Sequence, residues 1–248
     1  MLYDIHAHLE TPQFDGDRDK VLSKCPIVVV NAGVDYDSNL QALRLSSIYP
    51  NVIPAAGFHP EYVGSKLSQL EDCLSLTERV RIISEVGLDY FWVKDQEGRK
   101  TEVNVFTKFL ELAERTGKPM IVHVRGGIGE ALSIISSYKV RFALHAFEGG
   151  IKYALKAVDM GGYISVPPIL VRDRSRQEVV KSIPLDSILT ETDSPFLGPT
   201  RDSRNEPCNV SLTLAKLTEI LKLRVDEIEA SIERNTLSFL PFLADRSM

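Results

Sequence analysis

The sequence lacks a long apolar run, because nowhere do about 18 apolar residues follow one another. We therefore predict no transmembrane helix, and no basic-then-apolar leader precedes Asp4, so we expect no secretory signal. Cysteine is scarce: the 248 residues contain three, an odd number, and no CxxC pair. This indicates neither a disulfide framework nor a zinc finger, and a reducing cytoplasm is the predicted location.

An excess of positive charge is also missing, since the formal net charge is −5 and the pI is near 5.6. A protein that coats duplex nucleic acid regardless of sequence would be basic overall, so that class is disfavoured. The negative net charge does not exclude an enzyme that binds one or two phosphates through metals and a few arginines. No GxGxxG follows the first predicted strand, which argues against a dinucleotide-binding open sheet.

What the chain does contain is a regular alternation of short apolar runs with helical patterns. Several runs are continuously apolar, as strands buried on both faces of a parallel sheet are. Eight such strands are predicted, at residues 2–6, 26–33, 52–58, 80–87, 119–124, 140–147, 161–166 and 187–193. Helices are predicted at 38–50, 99–119, 128–139, 151–162 and 174–186, with two more in 209–240 that are split near Arg224–Asp226, where Asp226 could cap the second.

This alternation predicts an α/β fold, a (β/α)8 TIM barrel, formed by residues 1–248 as a single domain.

All five histidines fall where predicted strands end. They are His6, His8, His59, His123 and His145, and Glu85, Glu191 and Asp193 lie at comparable places. In a barrel of this kind, residues that perform chemistry sit at the C-terminal ends of the strands. One histidine at such a position is more often structural, but five are hard to explain by packing.

Imidazole and carboxylate together suit Zn²⁺, Mn²⁺ or a similar divalent ion. Four histidines and two acids are too many for one tetrahedral site, which favours two ions. Asp193 is expected near His6 and His8, His123 and His145 form a second group, and Glu85 could bridge the two. Glu191 could support the site without binding metal, as could Asp4.

The segments that carry these residues, in this order, resemble the TatD family of metal-dependent hydrolases, which are amidohydrolase-like barrels. They are DIHAHL, GFHP, SEVGLDY, IVHVR, HAFEG, ETDSPFLGP and RNEP, and they extend over almost the whole chain. The set is specific, although any one piece, such as HxH, is weak.

The resemblance implies a first metal on His6, His8, Glu85 and Asp193 and a second on Glu85, His123 and His145. It also implies that His59 and Arg125 face the substrate. The family often carries glutamines in the helix before strand five, where this chain has Glu102 and Phe109. These departures leave the ligands intact and bear on substrate preference.

The predicted function is a TatD-like deoxyribonuclease in which two divalent cations, Zn, Mn, Mg or Ni, activate water, with Asp193 and Glu85 as catalytic residues. The alternatives are a hydrolase of a carbonyl ester, lactone, amide or aminoacyl-tRNA ester, or a barrel that has lost catalysis and only binds. DNA is the expected substrate and no membrane partner is expected. The sequence does not indicate an oligomeric state. Tyr90, Phe91 and Trp92 are the best candidates for base stacking, unless they pack the rim.

Overall fold

The computed structural model describes residues 1–246. Its strands are β1 Leu2–Ala7, β2 Ile27–Ala32, β3 Val52–Ala56, β4 Ile82–Asp89, β5 Met120–Arg125, β6 Phe142–Leu144, β7 Tyr163–Val166 and β8 Ile188–Thr190. Its α-helices are α1 Arg18–Ser23, α2 Tyr36–Ile48, α3 Leu70–Leu76, α4 Gln96–Thr116, α5 Ile128–Ile135, α6 Ile151–Asp159, α7 Arg174–Ser182, α8 Val210–Leu221 and α9 Val225–Phe239. Each predicted strand is present, and the strand order follows the chain from β1 to β8.

By its internal contacts the chain divides into two compact units. Unit 1 is Met1–Val30 together with the chain from Ala146 onward, and unit 2 is Asn31–His145. The sequence predicted a single domain, and that statement stays a prediction.

Unit 2 is a run of parallel strands with helices between them. β3 pairs with β4, β4 with β5, and β5 with β6, all in parallel. The strands are nearly uniformly apolar, and β4 is buried along its whole length. The core of this unit includes Phe58, Phe106, Phe109, Leu110 and Ile82, none of which is exposed to solvent. Phe109, one of the departures from the family pattern, is therefore a core residue.

Helix α4 shows how local sequence sets an element's limits. Asp95 precedes it, and its carboxylate accepts a hydrogen bond from the Gly98 amide at 2.7 Å. The helix ends where Gly117 takes a left-handed conformation with φ +68° and donates its N–H to the Ala113 carbonyl. The helix thus ends at Thr116, three residues before the end of the predicted 99–119, and begins three residues earlier than predicted because Asp95 supplies the cap.

Unit 1 is built from two stretches of chain that a disulfide joins. β7 pairs with β8 in parallel, and Ala7 at the end of β1 forms a parallel bridge to Ser194. Cys25 and Cys208, 183 residues apart, are bonded to each other. The expectation that no disulfide forms is therefore wrong, because so distant a pair leaves no local spacing pattern to recognise.

The split of the last predicted helical segment is confirmed, since α8 ends at Leu221 and α9 begins at Val225. The expected cap at Asp226 is wrong, because Arg224 is the residue that precedes the helix. The Arg224 amide donates to Glu227 Oε2 at 2.8 Å, and the Asp226 carboxylate instead pairs with the Arg224 guanidinium. Within residues 1–246, no helix combines the length and apolar character that crossing a membrane requires.

Candidate metal centre

Backbone hydrogen bonds bring Asp193 beside the end of β1. The Asp193 amide donates to the His6 carbonyl at 2.8 Å, and the His8 amide donates to the Ser194 carbonyl at 2.7 Å. The segment after β8 therefore runs alongside the two histidines, although it lies about 185 residues further along the chain. Asp193 becomes a neighbour of His6 and His8 through this pairing.

His6, His8 and Asp193, which we name the β1–β8 group, converge on one point. His6 Nε2 lies 3.3 Å from His8 Nε2, and Asp193 Oδ1 lies 3.3 Å from His8 Nε2 and 3.7 Å from His6 Nε2. The two imidazoles are buried, and the Asp193 side chain retains 13% exposure. Two imidazole nitrogens and a carboxylate oxygen this close together form a donor set typical of a divalent metal site.

The backbone of Asp193 has a conformation that few non-glycine residues adopt. Its φ is +56°, in the left-handed region. Strain of this kind persists where surrounding contacts over-determine it, and it concentrates at functional positions. Two hydrogen bonds supply those contacts: the Asp193 amide donates to the His6 carbonyl, and the Phe196 amide donates to the Asp193 carbonyl at 2.7 Å.

Two further carboxylates support the β1–β8 group. Asp4 Oδ1 accepts hydrogen bonds from the amides of His6 at 3.2 Å and Thr192 at 2.8 Å, and Oδ2 accepts from the Thr192 hydroxyl. Burial raises the pKa of Asp4 well above its usual range, against the opposing effect of these bonds. Glu10 Oε1 lies 3.5 Å from His8 Nδ1, on the side of the ring away from the group. Asp4 thus has the supporting contacts that the sequence predicts.

In unit 2, three imidazoles surround one oxygen of Glu85. Glu85 Oε1 lies 2.8 Å from His123 Nδ1, 3.3 Å from His145 Nε2 and 3.3 Å from His59 Nε2. We name Glu85, His123 and His145 the β4–β6 group. Burial alone would raise the pKa of Glu85, but the neighbouring imidazoles hold that pKa well below its usual range. The carboxylate is therefore buried as an anion that needs cationic partners.

The tautomer of His123 leaves a ligand atom aimed at Glu85. His123 Nε2 lies 2.9 Å from Asp89 Oδ2, so this nitrogen carries the proton and donates it to the carboxylate. His123 Nδ1 is buried and makes no hydrogen bond of acceptable geometry, although Glu85 Oε1 is close. Burial opposes protonation of His123, yet Asp89 and Glu85 together raise its pKa to about 9. In the metal-free protein a proton on Nδ1 therefore neutralises this contact, and a divalent metal that binds both atoms would take the place of that proton.

His59 has the opposite arrangement of its ring nitrogens. Its Nδ1 accepts a hydrogen bond from the Glu61 amide at 3.2 Å, so the proton of the neutral ring lies on Nε2. That Nε2–H points to Glu85 and has no lone pair to offer a metal. This arrangement favours the predicted substrate-facing role of His59 over a metal-ligating one.

The pairing of β4 with β5 positions His123 relative to Glu85. The register shifts between Ile83 and Val86, and Gly87 then pairs with His123. A Cβ added at Gly87 would lie 1.8 Å from the His123 carbonyl oxygen, and the φ of Gly87 is +148°. Only glycine allows this approach, which keeps His123 next to the strand that carries Glu85.

The remaining predicted residues are placed as follows. Glu191 is fully buried and accepts a hydrogen bond from the amide of Ala146, the residue after His145. The Arg125 guanidinium stacks on the Phe91 ring, 3.7 Å from its centroid. Sequence reasoning missed Asp89 and Glu10. Asp89 lies four residues after Glu85 on the same face of β4, and Glu10 follows His8 by two, so alternation along the chain was the available signal.

An eight-stranded sheet in chain order, with buried imidazoles and carboxylates at strand ends, defines the class of (β/α)8 barrel metal-dependent hydrolases. A crystallised TatD homologue from Escherichia coli, YJJV, has the same fold with a TM-score of 0.84 and 24% identity, over 96% of this chain and 97% of its own.

The sequence model described as TatD related DNase matches residues 3–241, and the chain belongs to this family. It is 31% identical to an uncharacterized metal-dependent hydrolase of Methanocaldococcus jannaschii over 95% of each chain. It is also 31% identical to the human deoxyribonuclease TATDN3, over 98% of this chain and 95% of that protein. The fold prediction and the prediction of a metal-dependent hydrolase are confirmed.

Proposed function

We propose that the protein is a deoxyribonuclease that hydrolyses phosphodiester bonds with two divalent cations. The first ion is assigned to His6, His8 and Asp193, and the second to Glu85, His123 and His145. The family resemblance implies that Glu85 also serves the first ion. The cytoplasmic location expected from the sequence stays a prediction.

The observation that carries the proposal is the approach of His123 Nδ1 to Glu85 Oε1. The two atoms are 2.8 Å apart and no hydrogen bond of acceptable geometry joins them. The Asp89 carboxylate accepts a hydrogen bond from Nε2 and so orients the ring with Nδ1 toward Glu85, where Nδ1 can lose its proton to a metal. Metal-ligating histidines typically bind the metal through one ring nitrogen and donate the N–H of the other to a carboxylate, as His123 does to Asp89.

The donor atoms bear on which ions the site takes. Imidazole nitrogen suits Zn²⁺ and Ni²⁺, and carboxylate oxygen suits Mn²⁺ and Mg²⁺. Each group contains at least one imidazole and one carboxylate, so all four ions are candidates. We rank Zn²⁺, Mn²⁺ and Ni²⁺ above Mg²⁺.

When bound, such ions lower the pKa of a water and withdraw charge from a phosphoryl group. In our proposal the residues of the chain supply the positioning and the proton transfer. Asp193, whose side chain keeps partial exposure, orients the water and accepts its proton. The water oxygen bonds to phosphorus as the opposite P–O bond breaks, and the proton passes to the leaving oxygen. His59 faces the substrate, and Arg125 donates to the non-bridging oxygens.

Support for DNA as the substrate comes from the family, whose description is TatD related DNase, and from the human relative named a deoxyribonuclease. The rival reaction is hydrolysis of a carbonyl ester, lactone, amide or aminoacyl ester with the same metals polarising a carbonyl. The test must therefore offer both kinds of substrate.

The experiment is a hydrolysis screen on chelator-treated protein. Single-stranded DNA, duplex DNA, RNA and small carbonyl esters are offered with no metal and with Zn²⁺, Mn²⁺, Mg²⁺ or Ni²⁺ added back. We expect DNA cleavage only after metal is added, and two equivalents of metal per chain in the active form.

His123→Ala is the matched variant, and Glu78→Gln, an exposed acid before β4, is its control. We expect the first to lose metal and DNA cleavage and the second to keep both. Cleavage of carbonyl esters without cleavage of DNA would overturn the nuclease assignment. Full activity in the presence of chelator would overturn the metal assignment.

A further inference from the structure

Two aromatic rings are exposed where β4 ends. The chain turns after Asp89, and Phe91 and Trp92 are 47% and 61% exposed to solvent. Their rings lie 5.0 Å apart at an interplanar angle of 84°. Rings that packed against the rim would be buried. Because these two are exposed, they contribute little to the protein core. Flat surfaces of this kind are what unpaired bases stack on.

The loop that carries these rings is tied to a residue of the candidate metal centre. Asp89 Oδ1 accepts hydrogen bonds from the amides of Phe91 at 3.0 Å and Trp92 at 3.1 Å. The other oxygen of the same carboxylate accepts the hydrogen bond from His123 Nε2. Asp89 is buried, so it fixes both the ring-bearing loop and His123 from one point. A nucleotide held on the rings would thus sit at a defined place relative to His123.

Two cationic side chains lie over the Phe91 ring. The Arg125 guanidinium stacks on Phe91 at 3.7 Å, and Lys94 Nζ lies 6.0 Å from the same ring centroid. Beside this loop is a cavity of about 460 Å³ whose lining includes Tyr90, Arg99, Lys100 and Asn104. Acidic side chains lie nearby as well, because Glu130 also lines the cavity and Glu97 pairs with Lys100 at 3.9 Å, so the cations that face the Phe91 ring are Arg125 and Lys94. Such a setting complements a phosphate backbone.

We propose that Phe91 and Trp92 form a base-stacking platform for single-stranded nucleic acid, with Arg125 and Lys94 holding its phosphates. This inference rests on the proposed nuclease function and adds the strand form that the site selects. In a duplex the bases are already stacked on each other and cannot reach the rings, so the platform favours single strands or frayed ends.

Trp92 is the only tryptophan of the chain, so tryptophan emission, excited selectively over tyrosine, reports on this position alone. The first experiment titrates chelator-treated protein with a 12-residue oligothymidylate, with binding followed separately by the anisotropy of a labelled strand. We expect quenching of the emission in proportion to binding, and much weaker binding of a blunt duplex. Binding without quenching, or no difference between the two strand forms, would overturn the proposal.

The second experiment separates bases from phosphates. Metal-loaded protein is offered the same oligothymidylate and an abasic strand of equal length. Trp92→Leu keeps apolar volume but removes the ring, and we expect it to raise KM for the oligothymidylate about tenfold, with kcat nearly unchanged. Its kinetics on the abasic strand should match those of the wild type. Trp92→Phe should restore most of the lost affinity.

Ile48→Ala, which removes a 65% exposed side chain at the end of α2, is the control for loss of surface apolar area. Equal kinetics of the wild type and Trp92→Leu on both strands would overturn the platform while leaving the nuclease assignment intact. Absence of any DNA cleavage by the metal-loaded wild type would instead count against the nuclease assignment, and the emission titration would still decide whether the rings bind bases.

Discussion

In the β1–β8 group two of the three donor residues come from one strand end, two positions apart, whereas the donors of the β4–β6 group come from three separate strands. His6 and His8 need only the alternation of a strand to face the same side. Glu85, His123 and His145 need the register of β4, β5 and β6 to be correct. The first group is therefore largely a property of local sequence, and the second is a property of the fold.

The two groups also differ in what holds their imidazoles. Behind His123 stands Asp89, whose carboxylate receives a 2.9 Å hydrogen bond from the ring. Behind His8 stands Glu10 at the looser distance of 3.5 Å. Because Asp89 contacts Nε2 of His123, that ring turns Nδ1 toward the β4–β6 group. Because Glu10 lies near Nδ1 of His8, that ring turns Nε2 toward the β1–β8 group. The β4–β6 group is therefore the more rigidly prepared of the two, and the β1–β8 group contains the more exposed acid.

The largest expected effect tests the exposed acid of the β1–β8 group. Asp193→Asn removes the group that accepts the proton of the attacking water, so we expect kcat for DNA to fall by about 1000-fold at saturating metal. The measurement is the steady-state rate across pH. Asp186→Asn, an exposed acid before β8, is the control and should retain full activity. Near wild-type turnover by Asp193→Asn would show that the proton goes elsewhere.

Unit 1, in contrast to unit 2, depends on a covalent link between distant stretches of chain. Cys25→Ser with Cys208→Ser, or a reductant, should lower the free energy of unfolding by about 2–4 kcal/mol, because the cross-link no longer restricts the unfolded chain. Urea unfolding with and without reductant measures the change. The double variant is its own control, since reductant should not affect it. Free thiols at both positions in protein purified without reductant, together with no effect of reductant, would contradict the disulfide.

This link also shows where sequence reasoning stops. The eight strands were predictable because buried parallel strands are continuously apolar, and the histidines of the candidate site were predictable because all five histidines of the chain fall at predicted strand ends. The pairing of Cys25 with Cys208, the contact of Asp89 with His123 and the proton on His59 Nε2 depend on distances that only the folded chain defines. Sequence indicates which residue types gather at the strand ends, whereas hydrogen bonds decide which atom each one presents.

The hydrogen-bond chain of the β4–β6 group extends to Glu102 on α4. Glu102 Oε1 accepts a hydrogen bond from the Asp89 amide at 3.0 Å, while Oε2 is buried without a partner. Burial raises the pKa of Glu102 to about 7, from its ordinary value of 4.5. Between these two values the folded state binds more protons than the unfolded state, so stability falls as pH rises through this window.

The difference of about 2.5 units corresponds to roughly 3 kcal/mol between pH 4.5 and pH 7. Glu102→Gln cannot ionise, so we expect the variant to match the wild type at pH 5 and to exceed its stability at pH 8. Urea unfolding of chelator-treated protein at both pH values measures this. Glu111→Gln, an exposed acid on the same helix, should follow the wild type. A parallel pH dependence of Glu102→Gln and wild type would contradict the assignment.

The smallest expected effect compares the two outer carboxylates directly. In Asp89→Asn, one side of the amide faces the Phe91 and Trp92 amides and the other faces His123 Nε2. The backbone N–H groups can only donate, so the amide turns its oxygen toward them and its NH₂ toward His123 Nε2. That nitrogen must then accept, which places the ring proton on Nδ1, where it blocks metal binding. We expect metal affinity to fall about 10–100-fold in Asp89→Asn and less than about tenfold in Glu10→Gln, because the Glu10 contact is looser. Competition with a metal-binding dye measures both affinities without reference to activity, and a larger loss in Glu10→Gln would reverse the ranking of the two groups.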